Sequence, residues 1–154
     1  MCKMLVVAAF MCASLRAQVP TGSATRHEQS PTNASQSVNP VIEWNRTLLA
    51  IVRTAGAQPA TVHSTRSFAI LHAAIFDSVN NIVGGFTPYL ARLPDVLPHT
   101  SQVAAADQAA HDVLLTLYPA FQTSLDQKLQ QDLVQIPEGK PKSDGIAVGQ
   151  TVAA

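Results

Sequence analysis

Apolar positions recur at helical spacing over most of the chain, and no stretch alternates for long enough to make a strand. Asn39-Pro40 supplies a cap and a first-turn proline ahead of Val41, Trp44, Leu48, Ile51, Val52 and Ala55. Glu43, Arg46, Thr47 and Arg53 fall on the other side, which predicts helix one over about 40–55, stopped by Gly56. Pro59 opens a second helix, about 60–83, with Phe68, His72, Ile75, Phe76, Val79, Ile82 and Val83 on one face and Gly84-Gly85 at its end. From Phe68 to Phe76 that helix is apolar all round except for His72, so it is expected to be the buried centre of the fold.

Pro88, Pro94 and Pro98 make a loop of residues 86–100. Helix three, about 101–117, carries Val103, Ala106, Ala110, Val113, Leu114 and Leu117. Beyond Pro119, helix four, about 121–136, aligns Phe121, Leu125, Leu129, Leu133 and Ile136, and Pro137 closes it. Ser143 can cap a fifth helix with Ile146, Gly149 and Ala153. Its small residues, with the alanines of helix three, permit close helix–helix approach. The fold class is all-α, a partial bundle of about five helices. The fifth helix is still in register at Ala154, so residues 40–154 read as the front part of a longer bundle.

The N-terminus changes the picture. Met1 to Met4 carries one base and no acid, and Leu5 to Leu15 is an unbroken apolar or small run. The run is shorter than the roughly 20 residues a membrane span needs, but it suits a secretory leader. We therefore expect a signal peptide at 1–17, cut near Ala17, and an exported protein, periplasmic or secreted, with no integral membrane span after leader removal. Residues 18–39 are rich in Ser, Thr, Gln, Asn and Pro and read as a disordered spacer. Both cysteines, Cys2 and Cys12, fall in the leader, so no disulfide is expected in the mature chain. Acids and bases balance at ten each over the whole sequence. Without an excess of Lys and Arg, a strongly basic nucleic-acid binder is excluded.

Candidate chemistry is sparse. Thr65-Arg66, His72 and Asp77 follow the order of an oxyanion site, with Arg to grip, His to bond and Asp to orient. At about 100° per residue, however, His72 and Asp77 lie about 140° apart and Arg66 and His72 about 120° apart around one helix. Three groups on three faces cannot converge on one small anion, so His72 is expected to be a core histidine bonding a carbonyl or an acid of a neighbouring helix. His63 and His72 fall on opposite faces and make no metal pair. His111 has Asp107 one turn earlier, read as a surface i,i+4 pair. Gly139-Lys140-Pro141-Lys142-Ser143 lacks the upstream glycine and strand of a phosphate loop. Trp44 lies on the apolar stripe and is assigned to the core. No catalytic, cofactor-binding or metal-binding residue is assigned.

Several runs in combination resemble a known family. They are Trp44-Asn45; the segment from Phe68 through His72, Phe76 and Asp77 to Asn80; Pro88-Tyr89; Ala109-Ala110-His111-Asp112; Tyr118-Pro119; Ile136-Pro137 with Gly139; and Gly145 to Gly149. The likeness is to the N-terminal helical region of bacterial vanadium-dependent haloperoxidase-like proteins, in the type-2 phosphatidic acid phosphatase superfamily, and it covers about residues 40–154. It implies a helical bundle and, in the parent protein, peroxide-dependent halide oxidation at vanadate, or phosphatase chemistry at the same site. That site is built from Lys-x6-Arg-Pro, Pro-Ser-Gly-His and Ser-Arg-x5-His-x3-Asp, none of which this sequence contains. The Arg66/His72/Asp77 array departs from the third by Thr for Ser and by one residue before Asp. The resemblance thus implies an inactive chain whose partner is the missing C-terminal half of the bundle or a self-associating copy. The different-class alternative is a non-enzymatic exported helical module.

Overall fold

A computed structural model describes residues 39–58 and 63–154. Five helices account for most of them: α1 (Pro40–Arg53), α2 (Ser64–Val83), α3 (Gln102–Leu117), α4 (Gln122–Leu133) and α5 (Lys140–Ala153), with one 3-10 turn at Pro119–Phe121. No strand occurs among the described residues. The fold is all-α, as the apolar spacing predicts. The proposed leader, nearly all of the spacer and the expected start of helix two at 60 lie outside the described residues.

Local chemistry sets the helix limits. The Asn39 side-chain oxygen accepts from the Val41 N–H at 3.0 Å, with Pro40 in the first turn. α1 ends earlier than Gly56: the Thr54 N–H bonds the Ile51 carbonyl and its hydroxyl donates to the Ala50 carbonyl, so the helix closes at Arg53. Gly84, at φ 75°, ends α2 in a conformation that penalises a Cβ. Ser101 caps α3 by accepting from the Ala104 N–H at 3.2 Å. α5 starts three residues ahead of the expected cap. Gly139 flanks it, Pro141 sits in the first turn, and the Ser143 hydroxyl donates back to the Lys140 carbonyl from inside the helix. Proline suits that position because its missing N–H would have had no intrahelical partner.

The centre of the bundle is α3 rather than α2. Residues Ala104 to His111 are buried without a break, and α1, α2, α4 and α5 all pack against this helix. α2 buries Leu71, Ala74, Ile75 and Ile82 but leaves Phe68, His72 and Phe76 half-exposed. The reason is size. Alanine lets neighbouring helices close in on every side, whereas a ring of large side chains marks greasiness without enforcing enclosure.

The main core joins Trp44, Leu48 and Ile51 of α1 to Leu71 and Ile75 of α2, Ala106, Ala110 and Leu114 of α3, Tyr118, and Leu125 of α4. α5 meets α3 through glycines. A Cβ on Gly145 would stand 2.5 Å from the Ser101 carbonyl oxygen, and one on Gly149 would stand 2.6 Å from that of Ala105. The close approach expected from small residues is present here, carried by Gly145 and Gly149, while Ala147 faces solvent. No described helix is long and apolar enough to cross a membrane.

Candidate functional site

Arg66, His72 and Asp77 share α2 and serve different ends. Arg66 is exposed. His72 is half-buried, and its Nε2 lies 3.0 Å from Asn45 Oδ1 on α1. An amide oxygen only accepts, so in this arrangement Nε2 carries the proton. The expected bond to a neighbouring helix is present, with an amide carbonyl as the acceptor.

Asp77 is buried and turned toward the loop after α2. Its Oδ1 accepts from the Tyr89 N–H at 2.7 Å, and its Oδ2 accepts from Leu90 at 2.8 Å and Ala91 at 3.0 Å. Burial by itself would raise this carboxyl's pKa. The N–H groups of Ala91, Leu90 and Tyr89 outweigh it and hold the acid below its ordinary range. Two asparagines complete the fastening. Asn80 donates to the Phe86 carbonyl at 2.9 Å and accepts from its N–H, and Asn81 spans the Ala91 carbonyl and the Leu93 N–H, each at 2.8 Å. One face of α2 thus anchors residues 86–93 through side chains that answer backbone groups a loop leaves unpaired.

A second polar cluster lies between α1, α3 and α4, and it corrects the expected His111–Asp107 surface pair. Both residues are buried and neither bonds the other. Asp107 Oδ1 accepts from the Trp44 indole N–H at 2.8 Å. Burial pushes the Asp107 carboxyl up to about 6, assisted by the charge of Asp132 and opposed by the indole donor and Lys128. Lys128 stands 4.8 Å over the Trp44 ring and pairs with Asp132 at 2.8 Å.

His111 places Nδ1 2.7 Å from Asp112 and Nε2 2.8 Å from Asp126. Neutral imidazole has one N–H, so satisfying both acceptors requires the cation. The Asp112 bond raises the His111 pKa, burial lowers it, and Asp126 with both carboxylate charges tips the balance upward. While it is the cation donating from both nitrogens, His111 has no lone pair to offer a metal or a substrate proton.

The remaining sequence candidates are separate. His63 is exposed at the start of α2, and its side chain caps nothing. Lys140 pairs with Asp144, and the buried Lys142 pairs with Glu138 at 2.6 Å. Among the described residues, no three His, Cys, Asp or Glu side chains are grouped to hold a metal ion. Nor do they fit vanadate. A multiply charged oxide needs convergent cationic donors, whereas Arg66 stands at the surface, His72 serves Asn45 and the α5 lysines face acids.

Spacing gave no role to Asn45, Asn80 and Asp112, which entered only through the family resemblance, and it passed over Asn81 and Asp126; the partners of all five are set by tertiary packing. The usable signal was Trp44 itself, since a core indole needs an acceptor for its N–H. The other feature of note is a groove of about 600 Å³, lined mainly by Val41 of α1, Ile75, Phe76, Val79 and Val83 of α2, and Phe86. No protein-family model, curated protein or solved structure matches the chain.

Proposed function

We propose that the chain is an exported, non-catalytic helical framework module of the kind that forms the front helices of vanadium-dependent haloperoxidase-like proteins. The observation that carries this reading is how its polar residues are spent. Trp44 and Asp107, Asn45 and His72, Asp77 and the 89–91 backbone, and Tyr118 and Ser67 bond one another across elements. Most of these are the residues on which the family resemblance rests, so the resemblance is one of framework. Vanadate and the catalytic groups would come from sequence carrying the three absent motifs.

Three experiments test the three parts of the proposal. The DNA beyond codon 154, translated in all frames, should carry those motifs, and unrelated sequence in every frame would overturn the kinship. The isolated chain should show neither bromide oxidation with vanadate and peroxide nor ester hydrolysis. Turnover that Arg66→Ala abolishes would overturn the non-catalytic assignment. Export predicts an intact mass lacking residues 1–17 when the protein is recovered from an oxidising compartment, and retention of Met1 there would contradict it.

A further inference from the structure

We propose that the apolar face built on α2 and the loop following it binds a second copy of this chain. The family resemblance leaves the partner as either a missing C-terminal half or a self-associating copy and assigns neither to a surface, so the proposal goes beyond it by committing to the copy and to this face. The face has a floor and a ridge. The floor is the groove of about 600 Å³ over Ile75 and Val79. The ridge is the start of the 84–91 loop, where Phe86 and Tyr89 pack on Phe76 at centroid separations of 6.2 and 6.0 Å.

Phe86 and Tyr89 are 73% and 80% exposed as residues, and Val83 is 62% exposed. Such exposure is unusual for an aromatic pair whose backbone is held in place. Asn80 fixes Phe86, and Asp77 fixes Tyr89, each through main-chain groups. The ridge is therefore preorganised, and little ordering entropy would be lost when it is covered.

Three features favour a second copy as the occupant. The first is shape: a ridge beside a groove on one surface is what a two-fold interface requires, because each copy's ridge meets the other's groove. The second is charge: the groove lining carries no Lys, Arg, Asp or Glu, so two identical faces can meet without repulsion. The third is area. Val41, Val83, Phe86 and Tyr89 present roughly 500 Å² of side chain, given about 150–250 Å² for each aromatic, before the groove floor is counted. That lies toward the upper end of the roughly 300–600 Å² of the largest apolar patch on a typical monomer, a size that is often functional, and is about two-thirds of the roughly 800 Å² per partner of a standard interface.

Light scattering on the full chain from micromolar to submillimolar concentration tests this. The native chain should be a dimer. Phe86→Asp and Val41→Asp, both in the groove lining, should each weaken association about tenfold or more while leaving the far-ultraviolet spectrum unchanged, and leaving the melting temperature unchanged at dilutions where all the chains are monomeric. Leu97→Asp, at an exposed apolar position outside this groove, should leave the dimer intact. A chain that stays monomeric throughout would overturn the proposal. If that monomer also bound a hydrophobic dye displaced by Phe86→Asp, the groove would belong to a different occupant. Association that survives both groove substitutions would locate the contact elsewhere, such as on the Leu5–Leu15 run, and would equally overturn it.

Discussion

Gly149→Ala probes the contact between α3 and α5. In an exposed helix interior, Ala is favoured over Gly by about 1 kcal/mol, so the substitution would stabilise α5 if nothing stood in the way. At Gly149 the added Cβ would lie 2.6 Å from the Ala105 carbonyl oxygen and 2.9 Å from the Ala109 nitrogen. These are backbone atoms of the central helix, and they cannot swing aside as a side chain would. α5 must therefore withdraw by several tenths of an ångström, which opens its contacts around Val148 and Val152.

Overpacking of this kind costs about 1–3 kcal/mol, and a radial gap of about 0.5–1 Å forfeits a quarter to a half of each dispersion contact it opens. After the propensity gain, the expected net loss is about 0–2 kcal/mol, a fall of up to several degrees in melting temperature. Thermal denaturation followed at 222 nm reads it, with Gln150→Ala at the neighbouring exposed position as a control expected to be neutral. If Gly149→Ala raised the melting temperature, α5 would not be seated on α3 as described.

Three further outcomes follow from the polar contacts. Stability should be greatest in mild acid and decline as pH rises. Asp107 has a folded pKa of about 6, above the ordinary 3.8, so about 3 kcal/mol is lost between those values. The His111 pKa is also raised, so a second loss begins above its ordinary 6.5 and ends at its folded value. Urea denaturation across this range checks it: Asp107→Asn should flatten the lower limb and His111→Gln the upper, and a curve rising from pH 5 to 8 would contradict the assignment. Asp77 works in the opposite sense. Its lowered pKa adds stability that is present above 3.8 and lost as pH falls through the folded value. Asp77→Asn should cost about 2–4 kcal/mol and strip hydrogen-exchange protection from Tyr89, Leu90 and Ala91, because one carboxamide oxygen cannot answer three donors. Trp44→Phe should cost about 1–3 kcal/mol by leaving Asp107 buried without its indole donor, and a neutral result would show that the carboxyl has another partner.

Much of the fold was legible because its signals are local. The Trp44, Leu48 and Ile51 stripe, the Asn39-Pro40 cap and the Gly84 stop each act within a few residues. The failure of Arg66, His72 and Asp77 to converge was legible for the same reason, since helical pitch alone separates them. α3 was undervalued because periodicity weighs size and hydrophobicity, while enclosure here depends on alanines small enough to be surrounded. The start of α5 was misplaced because Ser143 has a cap-forming side chain, although Gly139 and Pro141 supply the backbone geometry. The polar contacts were illegible in principle. Trp44 and Asp107 are 63 residues apart, Asn45 and His72 are 27 apart, and His111 and Asp126 are 15 apart, and nothing in local spacing joins them.

The central claim is that, among the described residues, the buried polar side chains hold helices and loop together and no set of cationic side chains converges on an oxyanion. Titration of the purified chain with vanadate, followed by vanadium-51 nuclear magnetic resonance, measures this directly. The account predicts no saturable binding and no change on introducing Arg66→Ala or His72→Ala. A bound-vanadate resonance that grows to a fixed stoichiometry, and that either substitution removes, would contradict it.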